Sequence, residues 1–219
     1  SFTSIIVRQA SPASRVGLED KMELISSEEW DDEALKIAER VRIWSISQIE
    51  VPNPIYNGPP CPFAKAAWAR HRVMIHVTPD LEAVVELKGF NPPEGDFTHV
   101  VAWTGWRDMS EDDFSDWIFS QNENHFGVWI SAFHPGFGEK EQDDTDIFSQ
   151  VDDICIILVQ EYEHLVRASD ALNKTGYYRS YSNVELEVLD ERKEQLNAWK
   201  RKTSACQNED YKEGWAEEH

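Results

Sequence analysis

Cys61 has the best context for chemistry in this chain. It stands in NGPPCPFAKAAW, residues 57–68, between prolines and ahead of a run of small residues. Proline is favoured at the first position of a helix, so Pro62 makes Cys61 the expected N-cap. A thiol there faces exposed backbone N–H groups and the positive end of the helix dipole, a setting that lowers thiol pKa. Lys65, one turn on, adds positive charge. The chemistry implied is that of a thiolate acting as nucleophile, redox centre or soft-metal ligand. The plainer alternative is a rigid proline-rich turn whose small cysteine caps a helix and packs.

His134 is the second candidate. It follows the segment FGVWISAF, where Pro135 and Gly136 turn the chain. Strand ends at a sheet edge are where sites of α/β proteins gather, and imidazole serves as base or metal ligand. Within hydrogen-bond reach of Cys61 it would complete a catalytic thiol–base pair. Lys65 and Arg72 are then the expected substrate-binding cations, for an anionic substrate. The alternative for His134 is a hydrogen bond across its own turn.

Metal chemistry has thinner support. His76 and His99 lie near strand ends and could join His134 and Asp143 or Asp144 in a zinc or non-haem iron site. Neither an H-x-D triplet nor a close histidine pair supplies the usual local spacing, so isolated histidines are the expectation, with no metal and no cofactor. Glu161 and His164 have the Glu-x-x-His spacing of di-iron bundles, but those need two such motifs and the chain has one. A phosphate-binding glycine-rich loop, G-x-S-x-G and H-E-x-x-H are absent. In WTGWRDMSEDDFSDW, residues 103–117, tryptophans stand among acids as in an aromatic pocket for a cation or sugar. Core packing of Trp103 and Trp117 is the stronger reading.

These residues need a scaffold, and the patterning supplies one. Ser26 with Glu29 has capping-box spacing, and Trp30, Ala34, Ile37, Val41 and Trp44 then form one apolar stripe, predicting a helix to about residue 49. Prolines make 50–62 a stiff loop delivering Cys61 to a short helix over about 62–70. RVMIHV, FTHVVAW, FGVWISAF and ICIILV read as strands, the last buried on both faces. Helices are expected from Pro79 to Gly89, from Ser110 (paired with Asp113 as a cap), over 160–172, and from Asn183 to Trp199. Together these predict an α+β fold, with a single sheet of about four strands and helices packed mainly on one face. The domain spans 26–202, flanked by an N-terminal arm, 1–25, and an acidic C-terminal tail, 203–219.

Two resemblances attach to these motifs. CPFAK resembles the monothiol helix start of omega-class glutathione transferases, which would imply glutathione-dependent chemistry at Cys61. A longer stretch, about residues 28–175, resembles an uncharacterised bacterial family. In that family an amphipathic helix leads to CPFA, an acidic helical middle leads to an A-S-F-H-P strand end, and a late strand and helix follow. The corresponding stretches here are CPFAKAAW, ISAFHPGF and ICIILVQEYEHLVRA. That resemblance implies architecture and singles out Cys61, Pro62, Phe63, Ala64, Phe133, His134 and Pro135.

Composition bounds the partners. With 41 acidic and 21 basic residues among 219, the net charge is −20. Such a chain repels nucleic-acid backbones and anionic membrane surfaces alike, and suits a basic protein partner. Three scattered cysteines do not make a disulfide framework, no secretory signal is visible, and ICIILV is far short of a membrane span. The expectation is a cytoplasmic protein with reduced thiols. The leading reading is a small-molecule enzyme or binding protein with its site near Cys61 and His134. A non-catalytic acidic interaction module is the alternative, and a metal-binding protein the third.

Overall fold

A computed structural model describes residues 3–9, 22–25, 32–53, 58–87, 97–123, 127–135, 154–183, 186–187 and 189–201. Strands β3 (Val73–Thr78), β4 (Thr98–Trp103), β5 (Val128–Phe133) and β6 (Cys155–Glu161) form a mixed sheet in the order β3-β4-β6-β5. Helices surround it, and the fold is α+β. The sheet is extended at the β3 edge by β1 (Thr3–Gln9) and β2 (Met22–Ile25), giving six strands in all. Part of the expected N-terminal arm is thus sheet: β1 runs antiparallel to both β2 and β3. The acidic tail lies outside the described residues.

Among the described strands only β3 and β4 pair in parallel, which requires a crossover between them, and α3 (Glu82–Leu87) lies in it. The later strands pair antiparallel, with β6 inserted between β4 and β5. Among the described residues β5 is an edge strand, and part of its outer backbone is closed by a side chain. Asn122, in α4 (Glu111–Glu123), donates Nδ2–H to the Ile130 carbonyl at 2.9 Å and accepts the Ile130 N–H at 2.8 Å. A clasp of this kind blunts an edge against pairing with a second chain.

Helices cover both faces of the sheet, where the sequence pattern pointed mainly to one. On one face α1 (Asp32–Trp44) and α2 (Ala64–Ala69) pack on Val73, Ile75, Val100, Ala102 and Ile156. On the other, α3 and α4 pack on Val101, Trp103, Ile130, Cys155, Ile157 and Val159. The reason lies in β3 and β4, whose residues are buried at both parities. His76 and His99, which read as the polar side of their strands, are 1% and 5% exposed. They tolerate burial because each satisfies the other: His76 Nε2 and His99 Nδ1 are hydrogen-bonded at 2.9 Å.

The predicted helices form with local adjustments. Ala34, Ala38, Val41 and Trp44 are the buried stripe of α1, and the predicted start, 26–31, lies outside the described residues. The Ser110 cap forms as expected, its hydroxyl accepting the Asp113 N–H at 3.2 Å. Trp103 is core, stacked on Phe114 at 5.2 Å with its indole N–H donated to the Pro79 carbonyl. The late helix α5 (Tyr162–Thr175) ends at Gly176, whose φ of +77° is the left-handed cap conformation that glycine adopts freely.

Candidate functional site

A cavity of about 450 Å³ opens on the α1–α2 face of the sheet. Val41, Trp44, Ala67 and Trp68 wall one side, Val100, Phe133 and Leu158 of the sheet form the floor, and Leu165, Ala168 and Leu172 of α5 wall the other side. Small residues on both walls, Ala64 and Ala67 of α2 and Ala168 and Ser169 of α5, leave space between the facing elements.

The α1 wall has a feature that periodicity alone does not predict. After Trp44 the helix widens into a π-helical turn, Ser45–Ile49, closed by the Glu50 N–H donating to the Ser45 carbonyl at 2.9 Å. Such turns are rare and need support. Here Ser45 Oγ accepts the Trp68 indole N–H at 2.8 Å and donates to Glu50 Oε1 at 2.8 Å. Arg42 pairs with the same carboxylate and lies over the Trp68 ring at 4.5 Å. Ser45 and Ile49 both face the cavity, so this network sets the shape of its wall.

Cys61 lines the cavity too, but in a different setting from the one expected. Its backbone N–H is donated to the Ile49 carbonyl at 3.2 Å, and its own carbonyl accepts the Ala64 N–H at 3.1 Å. The residue flanking α2 is Phe63, not Cys61. The net effect on the thiol is the reverse of activation. Burial pushes its pKa up; the Phe63 and Ala64 N–H groups pull the other way, and the Glu50 carboxylate adds to the rise.

His134 does not join it. Phe133 and His134 are neighbours in the chain, and neighbours at a strand point to opposite faces. Phe133 packs against Trp44 on the cavity side, with centroids 5.8 Å apart. His134 meets Trp106 edge-on at 5.2 Å and Phe114 at 5.3 Å, which belong to the core of the opposite face. The sheet separates the expected thiol–base pair. Burial lowers the His134 pKa, partly offset by Glu111 and a hydrogen bond with the Trp106 backbone. The histidine that shares the cavity with Cys61 is His164 of α5.

Neither expected cation lines the cavity. Lys65 is exposed on α2, and Arg72 sits at the turn into β3. The arginine in the wall is Arg192, from the helical residues 189–201. Its guanidinium lies over the Trp129 ring at 4.8 Å, beside Tyr178 and Tyr181 of the lining. Nothing in the heavily charged 185–194 run marks Arg192 off from its solvated neighbours. Tyr177 ties this region to the Cys61 loop: its hydroxyl is 2.7 Å from the Pro59 carbonyl and 2.9 Å from that of Pro60.

The metal candidates separate in a similar way. His76 and His99 do meet, but among the described residues no group of three or more His, Cys, Asp or Glu side chains converges. Asp143 and Asp144 lie outside the described residues. No helix among the described residues is long and apolar enough to cross a membrane. Comparison with protein-family models, curated proteins and solved structures gives no match.

Proposed function

We propose that this protein binds a small, predominantly apolar molecule in the cavity between α1, α2, the sheet and α5. The observation that carries the reading is the cavity itself: about 450 Å³, walled by aliphatic and aromatic side chains with a few polar groups. Small-molecule sites have this size and this composition. Cys61 belongs to the wall, where its thiol is a compact, neutral contact surface. Its raised pKa favours binding over nucleophilic chemistry.

The test is saturable binding of the neutral, environment-sensitive dye N-phenyl-1-naphthylamine, followed by its fluorescence. Ala168, on the α5 wall, is the place to block the space. Ala168→Trp should abolish dye binding while leaving circular dichroism and urea unfolding close to the parent. Dye binding that is absent, or that survives Ala168→Trp in a folded protein, overturns the reading.

A further inference from the structure

Among the described residues, two buried donors in the cavity wall have no acceptor. Trp44 is 7% exposed, and its indole Nε1–H, shielded from solvent, has no hydrogen-bond partner. The Nε–H of Arg192 is likewise shielded and without an acceptor. Buried donors are normally satisfied, and each exception asks what satisfies it.

Arg192 is the more telling of the two. The chain carries 41 acids against 21 bases. On the same helical segment Lys193 pairs with Asp170 at 2.9 Å and Lys200 with Glu163 at 3.1 Å, both acids on α5. Among the described residues no carboxylate forms an ion pair with Arg192. Its guanidinium face is used against Trp129. Guanidinium donors lie in the plane of the group, so stacking leaves them at the edge, where a carboxylate or similar oxyanion is bound as a fork. Burial lowers the Arg192 pKa, an effect opposed by Tyr162, Tyr178, Tyr181 and Glu191.

Position along β5 sets the length scale. Arg192 stacks on Trp129, and Trp44 packs on Phe133. Four residues of strand separate these contacts by about 13 Å; between them Val100 and Leu158 give an apolar surface, and the Ser131 hydroxyl is already engaged, accepting the Trp129 indole N–H at 2.9 Å.

We infer that the occupant of the cavity is an amphipathic monocarboxylate, its anionic end held by Arg192 and its apolar chain running along the sheet face toward Trp44. This inference rests on the proposed binding role and specifies the ligand class. The net charge of −20 opposes any anion at long range, so preference for a carboxylate over its neutral analogue reports a local cation.

The experiment compares decanoate and decyltrimethylammonium, each below its micellar concentration, and decanol, below its solubility limit, as competitors of N-phenyl-1-naphthylamine at fixed ionic strength. Decanoate should displace the dye at a concentration at least about tenfold below that of decanol, as a charge-assisted hydrogen bond predicts. Arg192→Met, which keeps most of the stem on Trp129, should abolish that preference. Decanol or the ammonium competing as well as decanoate, in protein that binds the dye, overturns the carboxylate inference and leaves the binding role standing. Absence of dye binding removes both. The comparison on the parent protein needs no variant, so misfolding of Arg192→Met does not protect the inference.

Discussion

Acid should selectively destabilise this fold through His76 and His99. Their rings are bonded at 2.9 Å on adjacent strands and are nearly sealed from solvent. Burial, and then the proximity of His99, hold the His76 pKa down to about 3, and burial lowers His99 as well. The sign follows from linkage: a base whose folded pKa is depressed costs nothing above its unfolded value of about 6.5 and destabilises increasingly below it. The loss continues until pH approaches the folded value. Between pH 7 and pH 5 an unfolded imidazole passes from about one quarter to nearly full protonation, while the folded His76 stays neutral. That difference is about 2 kcal/mol for His76 alone, and His99 acts in the same direction.

Raw stability against pH will not isolate this effect. A chain of net charge −20 also gains stability as acid relieves its self-repulsion. The assay is therefore urea unfolding, followed by tryptophan fluorescence at pH 7 and pH 5, of the parent and of the double variant His76→Leu with His99→Leu. Replacing both partners by apolar groups removes the hydrogen bond without orphaning either ring. Relative to the double variant, the parent should lose about 2 kcal/mol or more over this interval. A stability difference between the two proteins that stays constant within about 0.5 kcal/mol would refute the reasoning.

Three other measurements bear on the site and its frame. The alkylation rate of Cys61, read by peptide mass mapping, should have its pH midpoint above the ordinary thiol value of about 8.5. Glu50→Gln should lower that midpoint, since the carboxylate contributes to the rise. Asn122→Ala strips both hydrogen bonds from Ile130 at the sheet edge; it should cost about 2–4 kcal/mol in urea unfolding and increase association seen by light scattering. Gly105→Ala should destabilise by about 1–3 kcal/mol, because a Cβ there would lie 2.3 Å from the Pro79 carbonyl oxygen, against backbone that cannot step aside. An unchanged unfolding midpoint in either variant would contradict the packing described.

Much of the scaffold was legible because it depends on short-range rules. The α1 stripe, the Ser110 cap and the β strands follow from periodicity and capping, which a few neighbouring residues decide. The helices on both faces were not legible, since that required knowing that two residues 23 apart in the chain bury each other. Read singly, His76 and His99 are polar punctuation in apolar strands. The site was legible in part. Proline flanking marked the Cys61 loop, and that loop does border the cavity. Whether Cys61 and His134 share a face depends on which side of the sheet each helix takes, and local pattern carries no such information. Arg192 is a harder case still: its surroundings in sequence are those of a solvated helix, and its aromatic neighbours come from β5 and the 177–181 turn.

The cavity also needs an energetic account. The cavity opens to solvent, so what it forgoes is the dispersion contact that packed side chains would make across it. The opposite face shows that this sequence can fill such space: there Trp103, Phe114 and Trp117 stack in succession, with His134 against Phe114. On the cavity face the facing positions are instead small, at Ala64, Ala67, Ser131, Ala168 and Ser169. Water can occupy the space and bond to the polar groups of its wall, but it leaves the dispersion energy of the aliphatic and aromatic side chains unused. A chain-shaped apolar ligand with an acceptor at one end recovers both quantities, matching the floor along β5 and the Arg192 edge together. The small-residue wall and the Arg192 Nε–H, without an acceptor among the described residues, are the two features that the proposed ligand, with its polar end and apolar body, would account for together.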